Sequence, residues 1–230
     1  EFHNLLAEKL GVDTMIGFSG CPGDSEGSIR PNWVTCAWPT DYLDTLKWQW
    51  EEVLIPYWKE EAKFLKEHGI KKLAFEMHPG FCVYNPITVL KLRDAVGDII
   101  GANIDPSHLI WQGMDPVAVV KELGAHNAIY HFHAKDTRVD NANTAVNGVL
   151  DTRSYADVLN RSWVFRTVGY GHGKEFWNDI ISTLKAVGYD GVISIEHEDS
   201  LMSPKEGLEK AVKFLREVII YENAGEMWWI

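Results

Sequence analysis

The stretch Leu73-Ala74-Phe75-Glu76-Met77-His78 reads as an apolar strand that turns polar at its end. Residues two apart on an extended chain share a face, so Glu76 and His78 lie on the same side. The pattern returns three times. Asn103-Ile104-Asp105 ends in an acid, with His108 three residues on. In His131-Phe132-His133-Ala134-Lys135-Asp136, both histidines and Lys135 share a face. In Ile193-Ser194-Ile195-Glu196-His197-Glu198, Glu196 and Glu198 do.

Working outward, six β-rich runs are visible: 14–19, 72–78, 101–105, 128–135, 164–168 and 191–197. Between them lie segments with 3.6-residue apolar spacing. The longest, 41–68, carries Pro56 as an expected kink and is followed by Gly69 as a stop. Segments 86–96, 116–123, 175–187 and 204–220 follow. Three of them open on proline, the favoured first helical residue, and Gly97, Gly124 and Gly188 close three. Alternating β and α units of about 30 residues predict a parallel sheet. Gly20-Cys21-Pro22-Gly23 after the first run does not match the phosphate-cradling G-x-G-x-x-G of open dinucleotide-binding sheets. The expectation is therefore a (β/α)8 TIM barrel, one domain over 1–230. Leu5–Gly11 reads as the last turns of a helix, so the first two βα units are expected to be missing, leaving strands three to eight. Active sites of such barrels sit at the C-terminal ends of the strands, where all four polar endings fall.

Lys plus Arg number 22 and Asp plus Glu 33, a formal charge of −11. That field opposes binding to nucleic acid and to anionic membranes. No apolar run of about 18 residues exists to span a bilayer. Cys21, Cys36 and Cys82 match no zinc spacing and read as reduced thiols of a cytoplasmic protein.

One acid ending a strand is ordinarily a helix cap or an ion-pair partner. Polar endings on four converging strands are another matter, because clustered carboxylates repel and lose hydration. A divalent cation bound by oxygens and an imidazole removes that penalty. Two or three carboxylates with one histidine suit Mn²⁺ foremost, and also Mg²⁺, Co²⁺ or Zn²⁺.

At these residues the sequence resembles the xylose isomerase-like barrel superfamily, in its sugar phosphate isomerase/epimerase branch. The resemblance spans nearly the whole chain, from Gly17-Phe18-Ser19-Gly20 to Ser194-Ile195-Glu196. It rests on Phe75-Glu76-Met77-His78, the D-x-x-H of Asp105 and His108, the H-x-K-D of His133 to Asp136, and Gly188-Tyr189-Asp190-Gly191 before Glu196. It implies one metal held by Glu76, Asp105, His133 and Glu196, with His108, Lys135 and Arg138 facing substrate oxygens. It further implies a Lewis-acid centre, with Glu76 and Glu196 as catalytic residues exchanging protons at opposite faces of a cis-enediolate in a sugar or sugar phosphate. A hydride shift between carbons held by two metals is the other route, set aside because one full ligand set is visible.

Three rivals stand beside an isomerase, the first a non-catalytic binding barrel, which the complete ligand set argues against and the missing first two units leave open. A keto-sugar or keto-glycoside lyase working by β-elimination would use the same ion, with His78 as an added base or a hydrogen-bonding support. An endonuclease IV-like repair enzyme needs a further D-x-H, where Asp151-Thr152-Arg153 has Arg, and a histidine that 14–20 lacks.

Ten tryptophans are present. Trp38 and Trp111 fall in expected strand-to-helix loops of the active rim, where they would stack on a carbohydrate. Trp48, Trp50, Trp58 and Trp177 read as packing residues. Trp228 and Trp229 near the C-terminus read as a subunit contact and so suggest a homo-oligomer. His131 is expected as a supporting histidine, His68 as a complement to a helix dipole, and His172 as a rim-loop residue. The polar, aperiodic segment 137–160 reads as a substrate-side insertion or lid, and Arg153, Arg161 and Arg166 are candidates for a phosphate or hydroxyl.

Overall fold

The structure is a computed structural model that describes the backbone of residues 2–230 and the side chains of residues 5–230. After α1 (Phe2–Leu10), β1 (Thr14–Gly17) leads through a long loop to α2 (Asp41–Trp48). A π-helical segment (Gln49–Leu54) joins α2 to α3 (Ile55–Glu67). The chain continues with β2 (Lys72–Glu76), α4 (Pro86–Val96), β3 (Ile100–Ile104), α5 (Pro106–Trp111), α6 (Pro116–Ala125) and β4 (Ile129–Ala134). Then come β5 (Asp136–Val139), α7 (Asn141–Asn147), β6 (Trp163–Arg166), α8 (Lys174–Ala186), β7 (Ile193–Ile195) and α9 (Pro204–Val218).

Five strands form one parallel sheet in the order β1-β2-β3-β4-β7. The sheet curls as part of a TIM barrel, which needs eight strands to close. Helices α3, α4, α6, α8 and α9 pack side by side along its outer face in chain order. Alternation sends Leu73, Phe75, Ala102, Ile104, Phe132 and Ala134 into the layer beneath them, all almost fully buried. The opposite parity places Glu76, Asn103, His131 and His133 on the inner face. Tyr130 is the extra residue of a bulge between β3 and β4, and Gly101 makes room for it. A Cβ on Gly101 would stand 2.3 Å from the Tyr130 ring.

The fifth expected strand, 164–168, is real but does not join this sheet. β6 pairs antiparallel with β5, while β7 takes the place beside β4. Period-two alternation announces a strand and says nothing of its partner. What diverts this one is Asp136, whose fully buried carboxylate gathers the backbone N–H groups of Thr137, Gly169, Gly171 and His172 and the indole N–H of Trp177. Those bonds pin the start of β5 to the turn after β6. The segment expected as a lid contains β5, α7 and a loop over 148–162, so it is more ordered than its composition suggests. The kink at Pro56 is spread over the π segment, in which the Ile55 N–H reaches back five residues to the Trp50 carbonyl.

Among the described residues, no helix is long and apolar enough to cross a membrane, and Cys21, Cys36 and Cys82 are free thiols. Trp50 and Trp177 are buried and Trp48 and Trp58 half-buried, as packing residues should be. Trp228 and Trp229 are exposed, edge to face with one another.

Candidate metal centre and substrate cavity

Four strand ends deliver Glu76, Asp105, His133 and Glu196 to one point: one ligand atom from each lies within 4.8 Å of the others. His133 Nδ1 is 3.2 Å from Glu76 Oε2 and 3.0 Å from Glu196 Oε2. Asp105 is the N-cap of α5, its Oδ1 accepting from the Ser107 N–H at 2.9 Å. Its Oδ2 turns to the cluster and, like Glu196 Oε2, is buried with cationic neighbours but no well-directed hydrogen bond. Asn103, on the Asp105 face of β3, sets its amide 3.4 Å from Glu76 Oε2 and 3.2 Å from each ring nitrogen of His133.

Electrostatics make this a charged knot. Burial pushes the Glu76 carboxyl up, but the imidazoles of His108 and His133 overcome it and hold the group well below the usual carboxylate range. Burial works against charging His133, and Glu196 and Glu76 outweigh it, raising its pKa to about 9. The Glu196 carboxyl is lowered by its contact with His133. Lys135 is also buried, its Nζ 2.7 Å from Glu198 Oε2 and 3.4 Å from both Asp105 Oδ2 and Glu196 Oε2. Burial disfavours its charge, and these three acids restore it and hold its pKa above the usual lysine value. Two such carboxylate oxygens aimed at one point, with a third carboxylate and an imidazole, fit a divalent ion. Such an ion, held by these four residues, would take the place of the proton on His133.

Next to the cluster lies a cavity of about 360 Å³, lined by His78, His108, Trp33, Trp111, Tyr155 and Trp163 among others. Trp111 and Trp163 stack face to face at 4.6 Å and 6°. The indole N–H groups of Trp33 and Trp111 are buried and unpartnered. The 148–162 loop supplies Leu150, Asp151 and Thr152 to the same wall.

The expected site residues divide accordingly. Glu76, Asp105, His133 and Glu196 meet. His108 joins them, with Nε2 at 3.2 Å from Glu76 Oε1 and 3.5 Å from Asp105 Oδ2. His78 lines the cavity with its ring 4.0 Å from that of His108; burial, then His108, lowers its pKa. Lys135 is buried and turned toward three carboxylates, with its one short contact to Glu198. Arg138 is exposed and donates to the Gly171 carbonyl at 3.3 Å, away from the cluster. Trp38 is 68% exposed and is not among the cavity residues; Trp33, five residues earlier, is. Trp111 stands in the last turn of the short helix α5, not in a loop.

His131 is a supporting residue, 2.8 Å from the Ser194 hydroxyl. His68 pairs with Glu8, and His172 is turned inward to Asp136 at 2.8 Å. Arg166 binds Asp199, Arg153 binds Asp151, and buried Arg161 donates to backbone carbonyls between the Tyr155 and Trp163 rings. Asn103 escaped the sequence reading, although its parity with Asp105 was the signal for it. Trp33 sits in an aperiodic loop and left none.

The chain matches the family described as xylose isomerase-like TIM barrel over residues 5–218. It belongs to that family. It is 43% identical over 216 residues to the uncharacterized protein YfiH of Bacillus subtilis (strain 168), covering 93% of this chain and 68% of YfiH. Solved members of the fold are more distant. The probable 3-DHS dehydratase AsbF of Bacillus anthracis superposes with a TM-score of 0.61 at 18% identity, over 94% of this chain and 67% of AsbF. D-psicose 3-epimerase of Clostridium cellulolyticum H10, solved with D-tagatose, gives 0.56 at 12% identity, over 94% and 68%. Structural neighbours of this chain thus include a sugar epimerase and a probable dehydratase.

Proposed function

We propose that this xylose isomerase-like barrel is a divalent-metal-dependent isomerase or epimerase of a sugar or sugar phosphate, working by proton transfer between Glu76 and Glu196. The observation that carries the reading is the approach of these two carboxylates to His133 Nδ1, at 3.2 and 3.0 Å, from strands 120 residues apart in the chain. Glu76, Asp105, His133 and Glu196 would hold the ion, Mn²⁺ foremost. When bound, the ion acts as a Lewis acid toward a substrate carbonyl or hydroxyl and so acidifies the neighbouring C–H. One glutamate accepts that proton and the other returns one on the opposite side; which glutamate acts first depends on the stereocentre. Asn103 fixes Glu76 and His133, and Lys135 fixes Asp105 and Glu196, so the acids are oriented before substrate arrives. Trp111, Trp163 and Trp33 offer flat apolar walls and two free N–H donors to a carbohydrate. A cytoplasmic location suits the free thiols.

The test is ¹H NMR in D₂O of the Mn²⁺-loaded protein with ketopentoses, ketohexoses and their phosphates. The expected result is loss of one C–H signal together with a new sugar. Glu196→Gln and Glu76→Gln abolish it while circular dichroism shows an intact fold, and chelation lowers activity and Tm together. Undiminished turnover in either variant refutes the acid–base pair.

A second reading, a lyase or dehydratase, is favoured by His78, which faces the cavity two residues past Glu76, and by the fold shared with AsbF. It predicts a conjugated carbonyl product absorbing in the ultraviolet in place of an epimer.

A further inference from the structure

Glu76 has two oxygens, and the four-residue cluster uses one. Oε2 faces His133 and Asn103, while Oε1 faces His108 Nε2 at 3.2 Å. We propose that Glu76 Oε1, His78 and His108 form a second cation site on the cavity side, selective for an imidazole-seeking ion such as Zn²⁺ or Co²⁺. The proposal needs no assumption about which reaction the protein catalyses.

Three observations converge. One ligand atom from each of the three residues lies within 4.8 Å of the others. His108 is 1% exposed, and its Nε2 is buried with no hydrogen-bond partner although it faces Glu76, which is the expense a bound cation would remove. The ring cannot easily turn away, because it is packed between Phe165 at 5.3 Å and His78 at 4.0 Å. His78 is already in the ligand tautomer. Its Nδ1 lies 2.6 Å from the Pro79 carbonyl, an acceptor only, so the proton sits on Nδ1 and Nε2 keeps its lone pair. A backbone carbonyl holding the far nitrogen is the usual support of a metal-binding histidine.

The chemistry of the two sites differs. Three carboxylates and one imidazole make a hard site that accepts Mg²⁺ or Mn²⁺. Two imidazoles and one carboxylate match the three-ligand, one-open-position arrangement of catalytic zinc, and Mg²⁺ dehydrates reluctantly for such a set. Both histidines line the 360 Å³ cavity, so the open position faces the space a substrate would fill. The bland alternative is that His108 and His78 are neutral packing rings around Glu76 and bind nothing.

Metal-stripped protein titrated with Co²⁺, followed by visible absorption and by equilibrium dialysis with elemental analysis, decides between them. The wild type takes up two Co²⁺ per chain, and one when excess Mg²⁺ fills the carboxylate site. His78→Ala loses the Co²⁺ that survives Mg²⁺ competition, along with its visible band, and keeps the other. Asp105→Asn loses the Mg²⁺-competed ion and keeps the imidazole-bound one. His78→Gln guards against misfolding of the alanine variant, with circular dichroism as the check. One Co²⁺ per chain, lost in Asp105→Asn and unchanged in His78→Ala and His78→Gln, overturns the second site and leaves the four-residue centre standing. Two ions in every variant overturn both assignments, as does no uptake by the wild type.

Discussion

Replacing Lys135 by Met keeps most of the unbranched side chain, one atom shorter, and removes its charge. The ammonium is 3.4 Å from Asp105 Oδ2 and from Glu196 Oε2. At an effective dielectric of about 20, each of those contacts is worth about 5 kcal/mol before desolvation is subtracted. Glu198 is half exposed and adds little despite its 2.7 Å contact. Breaking a buried ion pair by deleting one partner destabilises by about 3–5 kcal/mol, since the other charge stays buried. Asp105 Oδ2 has no well-directed hydrogen bond to fall back on. At about 2–4 °C per kcal/mol for a chain of this size, the melting midpoint in EDTA should drop by roughly 6–20 °C. A divalent ion supplies the missing positive charge, so added Mn²⁺ should raise the midpoint of Lys135→Met by more than it raises that of wild type. Lys135→Arg separates loss of charge from loss of shape. Scanning calorimetry of the three proteins, with and without metal, gives the answer. An EDTA midpoint for Lys135→Met within about 2 °C of wild type would refute the argument that this cation holds the acids together.

Three further outcomes are expected. Trp163→Ala removes a 4%-exposed ring stacked on Trp111 and should cost about 3–5 kcal/mol in a urea melt, with KM for the eventual substrate rising more than kcat falls. Asp136→Asn points an amide N–H₂ at backbone donors; a loss of about 3 kcal/mol and faster proteolytic nicking at residues 169–173 should follow, and nicking at the wild-type rate would count against the anchor. Burial raises the Asp151 carboxyl, but the N–H groups of Arg153 and Ser162 and the Arg153 guanidinium win and bring it to about 2, against 3.8 unfolded. A depressed folded pKa gives stability that is complete above 3.8 and vanishes as pH falls through about 2, so Asp151→Asn should flatten the acid side of the Tm–pH curve.

The parallel sheet was legible because its strands bury one face against helices and end in polar groups, a signal carried within each strand. Glu76, Asp105, His133 and Glu196 were legible for the same reason: parity and position at the strand end are local properties. What stayed hidden depended on contacts between distant segments. The departure of β6 follows from Asp136 reaching the turn at 169–172, which no periodicity encodes. Trp33 and Trp38 are equivalent as letters in an aperiodic loop, and only the path of that loop distinguishes them. Lys135 shared a face with His133 as expected, yet its engagement by three acids is a matter of distance. Helix α5 is one turn and a half, too short for its own apolar period to show.

That short helix would tie a bound ion to the cavity mechanically. Its cap, Asp105, offers one oxygen to the four-residue cluster, and its final residue, Trp111, forms part of the cavity wall. Anything that draws Asp105 inward tilts a rigid six-residue lever whose far end carries a fluorophore. Metal loading should therefore be visible in tryptophan emission with no sugar present, and substitutions that reshape the wall at Trp111 should retune ion affinity along with substrate preference.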